Sequence, residues 1–223
     1  MAGSLTRGAF RALLLVLASA CAATAVAADA STPLDQYFDG LNTLRATFTQ
    51  TVKDARGKQV DSTSGTLLVS RPGKFRWEVS PKAGSSGQLL VADGRNVWFL
   101  DKDLDQVTVK PADAALSSTP AMLLSGAANL RESFTLTSAG NRDGLDWVLV
   151  EPRRPEADFR RALFGFAKAG PGTQRLQKMI IDDRLGQTAT IEFASVERNA
   201  KVTPEEVSFT PPKGTDVIGT PAK

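Results

Sequence analysis

Residues 71–77 read Arg71-Pro72-Gly73-Lys74-Phe75-Arg76-Trp77, a turn followed at once by an amphipathic strand, and they come directly after a second strand-like run at 65–70. Phe75, Trp77 and Val79 fall on one face and Lys74, Arg76 and Glu78 on the other, the period of two that a strand shows when one face is wet. Pro72 cannot donate a ladder hydrogen bond and Gly73 accepts positive φ, so the chain turns here and leaves Arg71 at the rim of the aromatic face. An apolar sheet face needs a cover or a ligand, and Arg71 stands where a latch for such a cover would sit. The plainer alternative makes Phe75 and Trp77 ordinary core residues and Arg71 a solvated charge at a strand end.

Outward from this stretch the same rhythm continues. Before it, residues 46–53 alternate Ala46, Phe48, Gln50 and Val52 with Thr47, Thr49, Thr51 and Lys53, and 60–70 forms the next run. After it, strands are expected at 74–80, 88–92, 96–100 and 106–110, with Asp93-Gly94 as a tight hairpin signal. The rhythm breaks at 112–126, where Pro120 separates two short helical turns, and resumes at 134–138, 147–150, 163–168, 176–182, 188–194 and 207–210. A helix is expected at 34–44, capped by Ser31 or Thr32 with Pro33 at its first position and with Leu34, Phe38, Leu41 and Leu44 on one face.

About eleven short strands joined by loops, without crossover helices, imply a mainly β, antiparallel meander. Its concave side is expected to carry Phe75, Trp77, Trp98, Phe164, Phe166, Ile191 and Phe193, and only the two helical regions are available to cover them. Two arrangements satisfy this pattern: an unclosed β-barrel with a helical lid over a hydrophobic cavity, or a permanently closed core.

The first residues read as an export signal, with Arg7 and Arg11 before the apolar run 13–18 and small residues through Ala28. The expected division is therefore a cleaved signal at 1–28 and a single domain at 29–223. Cys21, the sole cysteine, faintly matches a lipidation site, and cleavage downstream of it would discard it. The formal net charge is +3 with both signs interspersed, which gives no basic stripe for nucleic acid. There is no histidine, so the usual general base and the common soft metal sites are missing. Asp182-Asp183 is the best adjacent carboxylate pair, and its setting reads as a hairpin turn rather than a catalytic dyad. No enzyme activity, cofactor or metal is expected.

Several of these stretches, in their order and spacing, resemble the bacterial outer-membrane lipoprotein carrier (LolA) family. They are Phe48-Thr49-Gln50, the run from 65 into Arg71-Pro72 and Phe75-Arg76-Trp77, Val91-Ala92-Asp93-Gly94 with Val97-Trp98, and Asp105-Gln106-Val107. Thr119-Pro120-Ala121-Met122-Leu123-Leu124 and Phe209-Thr210-Pro211-Pro212-Lys213-Gly214 complete the match. The resemblance implies an unclosed barrel enclosing a hydrophobic cavity under short helices. It also implies a monomeric periplasmic chaperone that takes triacylated lipoproteins from an inner-membrane ABC transporter to an outer-membrane receptor. In that likeness Arg71 is the lid latch, Phe75 and Trp77 meet lipid or transporter, and Phe48, Leu68, Trp98, Met122, Leu123, Phe164, Phe166, Ile191 and Phe193 line cavity or lid. A lipidated Cys21 would instead imply an anchored receptor of the same fold, and a periplasmic lipoprotein sensor is the other alternative.

Overall fold

The computed structural model describes residues 31–112, 121–126, 130–154, 157–170 and 173–222. The expected signal segment, Cys21, Pro120 and the last residue lie outside them. Helix α1 spans Pro33–Phe38. Thr32 and Asp35 close a reciprocal capping box: the Asp35 amide donates to Thr32 Oγ1 at 3.3 Å, and the Thr32 amide donates to Asp35 Oδ2 at 2.7 Å. The helix is shorter than its apolar spacing suggested, because Gly40 adopts φ 62° and turns the chain into strand β1, Thr43–Lys53. Leu41 and Leu44 are still buried, one from the connecting loop and one from the strand, so their helical spacing was coincidental.

Strands β2 (Gln59–Ser70), β3 (Lys74–Val79), β4 (Gln88–Asp93), β5 (Asn96–Asp101) and β6 (Gln106–Pro111) follow by antiparallel hairpins. Among the described residues two short helices interrupt them, α2 (Ala121–Ser125) and α3 (Leu130–Ser133). The meander resumes with β7 (Phe134–Arg142), β8 (Leu145–Pro152), β9 (Phe159–Gly170), β10 (Thr173–Asp183) and β11 (Thr188–Arg198). β11 returns to pair antiparallel with β1, which joins the two halves into one sheet; with a short last strand, β12 (Asp216–Ile218), its order is β12-β6-β5-β4-β3-β2-β1-β11-β10-β9-β8-β7. Its two outermost strands do not meet, so the barrel is unclosed, as expected from the meander.

The end of the chain departs from expectation. Residues 207–210 form no strand: Glu205–Val207 is a single 3₁₀ turn, and Phe209 packs on Trp98 with ring centroids 5.5 Å apart. A twelfth strand, β12 (Asp216–Ile218), instead pairs parallel with β6. The tail is fixed further on by Asn96, whose Oδ1 accepts from the Ala222 amide at 2.7 Å.

The sheet is apolar on both faces. The inner face carries Phe48, Leu67, Val69, Phe75, Phe164, Phe166, Met179, Ile191 and Phe193, packed with α1 and α2. On the outer face, Leu89, Val91, Trp98, Leu100, Val107 and Val109 form a separate cluster under Phe209.

Candidate functional site

Register decides which side chains share the inner face. Val69 pairs with Phe75 and Leu67 with Trp77, while Phe48 pairs with Gly65 on one side and Phe193 on the other. Gly65 leaves room for the Phe48 ring, since a Cβ there would come within 2.6 Å of it and within 2.0 Å of the Glu78 carbonyl oxygen. The ring stacks on Trp77 at 4.1 Å, and Trp77 meets Phe193 edge-on at 6.4 Å. Phe75, Phe164 and Phe166 are fully buried, and Ile191, Met122 and Leu123 nearly so. Where α1 and α2 lie over it, the concave face is filled by side chains.

Two expected lining residues belong elsewhere. Leu68 pairs with Arg76, and Trp98 pairs with Val91, itself opposite Arg76, so both point to the outer face. The indole N–H of Trp98 donates to Asp93 Oδ2 at 2.7 Å, which fixes it there. The inner positions on β5 include Val97, in the inner cluster, and Phe99, in one row with Leu90 and Trp77. Phe99 is 36% exposed, and Trp77, Val79 and Leu90 are half-buried. This row leaves apolar surface accessible beside the covered part.

Arg71 stands at the β2–β3 turn, after which the Arg71-Pro72 peptide is cis. Its Nη1 donates to the carbonyl oxygens of Phe38 at 3.1 Å and Leu41 at 3.3 Å, and its guanidinium lies 4.6 Å from the centre of the Phe38 ring. The same group fills the space where Gly126 lacks a side chain, since a Cβ there would stand 2.5 Å from Arg71 Nε. Partial burial pulls Arg71 below its ordinary pKa, yet a guanidinium remains charged at neutral pH. Two residues on, the Gly73 amide donates to the Ser125 carbonyl oxygen at 2.9 Å. One turn thus touches the end of α1 and the end of α2.

The pieces of the cover are tied down differently. α1 and its trailing loop are held by Arg71, by Asn199, whose Oδ1 accepts from the Asn42 amide at 2.8 Å, and by Arg198, which donates to the Asp39 carbonyl oxygen at 2.9 Å. Asp35 also accepts from Arg131 of α3 at 2.7 Å. Burial acts to raise the Asp35 pKa, but its bonds with Thr32 and Arg131 outweigh it and hold the carboxyl below its ordinary value. Tyr37 packs on Phe166 with ring centroids 5.2 Å apart, and its buried hydroxyl has no hydrogen-bond partner among the described residues. Burial pushes its phenol pKa well up.

The remaining candidates resolve into structural roles. Asp182 pairs with Arg161 at 2.6 Å, and Asp183 accepts the Leu185 and Gln187 amides of the β10–β11 turn, so the two carboxylates do not converge. A cleft of about 710 Å³ is lined chiefly by outward-pointing residues, among them Thr49, Ser64, Lys178 and Glu192, with Leu145 and Trp147 beside them. Among the described residues no group of three or more His, Cys, Asp or Glu could hold a metal ion, and no helix is long and apolar enough to cross a membrane.

An unclosed one-sheet barrel with an aromatic concave face under short helices defines the class of this protein. The family model described as outer membrane lipoprotein carrier protein LolA matches residues 39–210. The outer-membrane lipoprotein carrier protein of Nitrosospira multiformis is 41% identical over 185 residues, covering 83% of this chain and 86% of that protein. That of Dechloromonas aromatica is 39% identical over 186 residues, covering 83% and 86%. In fold alone, an uncharacterized conserved protein from Thermus thermophilus superposes with a TM-score of 0.53 at 16% identity, covering 83% of this chain and 96% of that one. The chain belongs to the outer-membrane lipoprotein carrier family, and that membership supports a lipoprotein-binding carrier role.

Proposed function

We propose that the protein is a periplasmic chaperone that receives lipoproteins released from the inner membrane by an ABC transporter, shelters their acyl chains and delivers them to an outer-membrane receptor. The physical problem is the cost of exposing the chains. At ~0.8 kcal/mol per methylene, one sixteen-carbon chain carries on the order of 13 kcal/mol of transfer energy, so it does not cross water unaided. The carrier must bind tightly enough to shield and loosely enough to release.

The observation that carries this reading is the double engagement of the β2–β3 turn: Arg71 on the carbonyl oxygens before β1, and Gly73 on Ser125 of α2. The Arg71 bonds are charge-assisted and contribute roughly 1.5 to 3 kcal/mol each, and the neutral Gly73 bond about 0.5 to 1.5 kcal/mol. They favour the closed cover, and cargo must compete with them. Phe75 is fully buried beneath that cover, so contact of Phe75 with lipid or transporter requires the cover to move. Trp77, half-buried beside Leu90 and Phe99, is where chains first meet apolar surface.

Arg71→Leu therefore binds acylated lipoprotein more tightly and hands it over poorly. A transfer assay from loaded carrier to receptor measures this, and release at the wild-type rate would remove the latch. Phe75→Glu loads weakly, because a charge is placed against apolar chains; recovery of acylated lipoprotein with that variant at wild-type yield would exclude Phe75 from loading.

A further inference from the structure

The aromatic part of the inner face borders a polar pair that makes no hydrogen bond among the described residues. Gln50 on β1 and Thr63 on β2 are register partners, and Gln50 also pairs with the buried Ile191 of β11, which puts both on the inner face. Thr63 Oγ1 is sealed from solvent and has no hydrogen-bond partner among the described residues. Such an orphan is costly in a folded protein and is ordinarily paired with protein or water. The half-buried Gln50 amide beside it makes no hydrogen bond with any described residue.

The position of the pair gives it meaning. One pleat towards Arg71 lie Phe48 and Gly65, the start of the aromatic group of Phe48, Trp77 and Phe193. One pleat the other way Val52 pairs with Asp61, whose carboxylate takes the Lys82 ammonium, and Lys82 Nζ also donates to the Ser62 carbonyl oxygen at 3.1 Å. Aromatic wall, neutral polar pair and charged rim thus succeed one another along two strands, each step spanning about 7 Å. An acylated peptide has the same order: hydrocarbon, then ester and amide carbonyls, then polar chain.

Resting on the carrier reading above, we propose that Gln50 and Thr63 form the subsite for the carbonyl groups that link acyl chains to the lipoprotein's N-terminus. The Thr63 hydroxyl and the Gln50 amide N–H donate to an ester or amide carbonyl oxygen that would otherwise be buried unpaired. The chains run from there over Phe48 and Trp77, and the peptide leaves past Lys82. The pair reads the linkage and leaves the chain length to the apolar wall.

The test compares two probes, a diacylglyceryl-cysteine lipopeptide and its dialkyl-ether analogue, which lacks the ester carbonyls, with affinities read by displacement of a fluorescent fatty acid. The double variant Gln50→Leu, Thr63→Val is expected to weaken the ester probe about tenfold, the worth of one or two hydrogen bonds, and to leave the ether probe within about twofold. Thr63→Ser, which keeps the hydroxyl, retains wild-type affinity for both. Because Thr63 is an orphan without cargo, Thr63→Val alone leaves the thermal midpoint of the free protein unchanged or raised, which separates the subsite from a structural role. Equal loss of both probes, loss of neither, or a clear drop in the midpoint overturns the subsite while the carrier reading stands. Binding of neither probe by the wild type overturns the carrier reading, and the subsite with it.

Discussion

The two faces of the β3–β5 region solve the same problem with different material. Phe75 and Trp77 point inward and Leu68, Val91 and Trp98 outward, and both sets are apolar enough to need a cover. The outer set is covered by the C-terminal segment, which lays Phe209 on Trp98, adds β12 to the β6 edge and ends at the Asn96 clamp. The inner set is covered by short helices, joined at one end through Arg71 and Gly73. A cover that belongs to the sheet's own ladder stays put, whereas one fastened by a few local bonds opens at modest cost. Under the carrier mechanism proposed above, this difference makes the outer cover the permanent one and the inner cover the one that exchanges ligand.

The strongest way to break this comparison is to empty the inner face beneath α1. Phe166 is fully buried and carries Tyr37, so Phe166→Ala costs about 3–5 kcal/mol and loosens α1 with it. Denaturant unfolding gives the first quantity, and hydrogen exchange at 33–42 the second. If exchange there stays at wild-type rates, the inner packing does not hold the helix. On the outer face Phe209→Ala is milder, about 2 kcal/mol, since Phe209 is only partly buried. Its exchange signature is confined to 205–222, and faster exchange in α1 would mean that the faces are not independent.

The division between faces was half legible in the sequence. The tight turn at 71–73 sets β3 against β2, so Ser70 pairs with Lys74 and Val69 with Phe75; once Phe75 is inward, Leu68 must be outward. That information was present, and the expectation for Leu68 overlooked it. Trp98 is another matter. The Gly94-Arg95 turn pairs Val91 with Trp98, but the β3–β4 connection is a long loop in which Lys82 and Ser85 bridge each other, and its length hides the register between Trp77 and Leu90. Phe99 was missed for the same reason. The position of Arg71 at the turn was legible because Pro72 and Gly73 mark it, but the acceptors of its guanidinium, the Phe38 and Leu41 carbonyl oxygens, are some thirty positions away and follow only from the fold. The parallel β12 was hidden by its three-residue length.

A smaller effect sharpens the comparison from the helical side. Tyr37→Phe removes a buried hydroxyl that has no partner, so it stabilises the protein by about 1 kcal/mol, a rise in thermal midpoint of a few degrees. It should also slow loading, because the closed cover gains what the orphan had cost. A lowered midpoint would mean that the hydroxyl is satisfied in solution.

The smallest effect separates the faces by acid. Each has one well-placed carboxylate, Asp35 capping α1 within and Asp93 bracing Trp98 without. Burial works against both, but Asp35 is held below its ordinary value by Thr32 and Arg131, and Asp93 by the Trp98 indole with the Asn96 and Arg95 amides. A folded pKa below the unfolded one makes the stabilisation complete above about pH 4, and it is lost as pH falls through the folded value. Asp93→Asn therefore costs roughly 1 kcal/mol at neutral pH, and its deficit against wild type shrinks in acid. Exchange followed by segment resolves the two sites. Asp93→Asn abolishes the acid-dependent loosening of the Trp98 and Phe209 region and leaves that of α1, and Asp35→Asn does the reverse. If either substitution moved both regions together, the inner and outer covers would be a single cooperative unit, and the assignment of permanence to one and exchange to the other would fail.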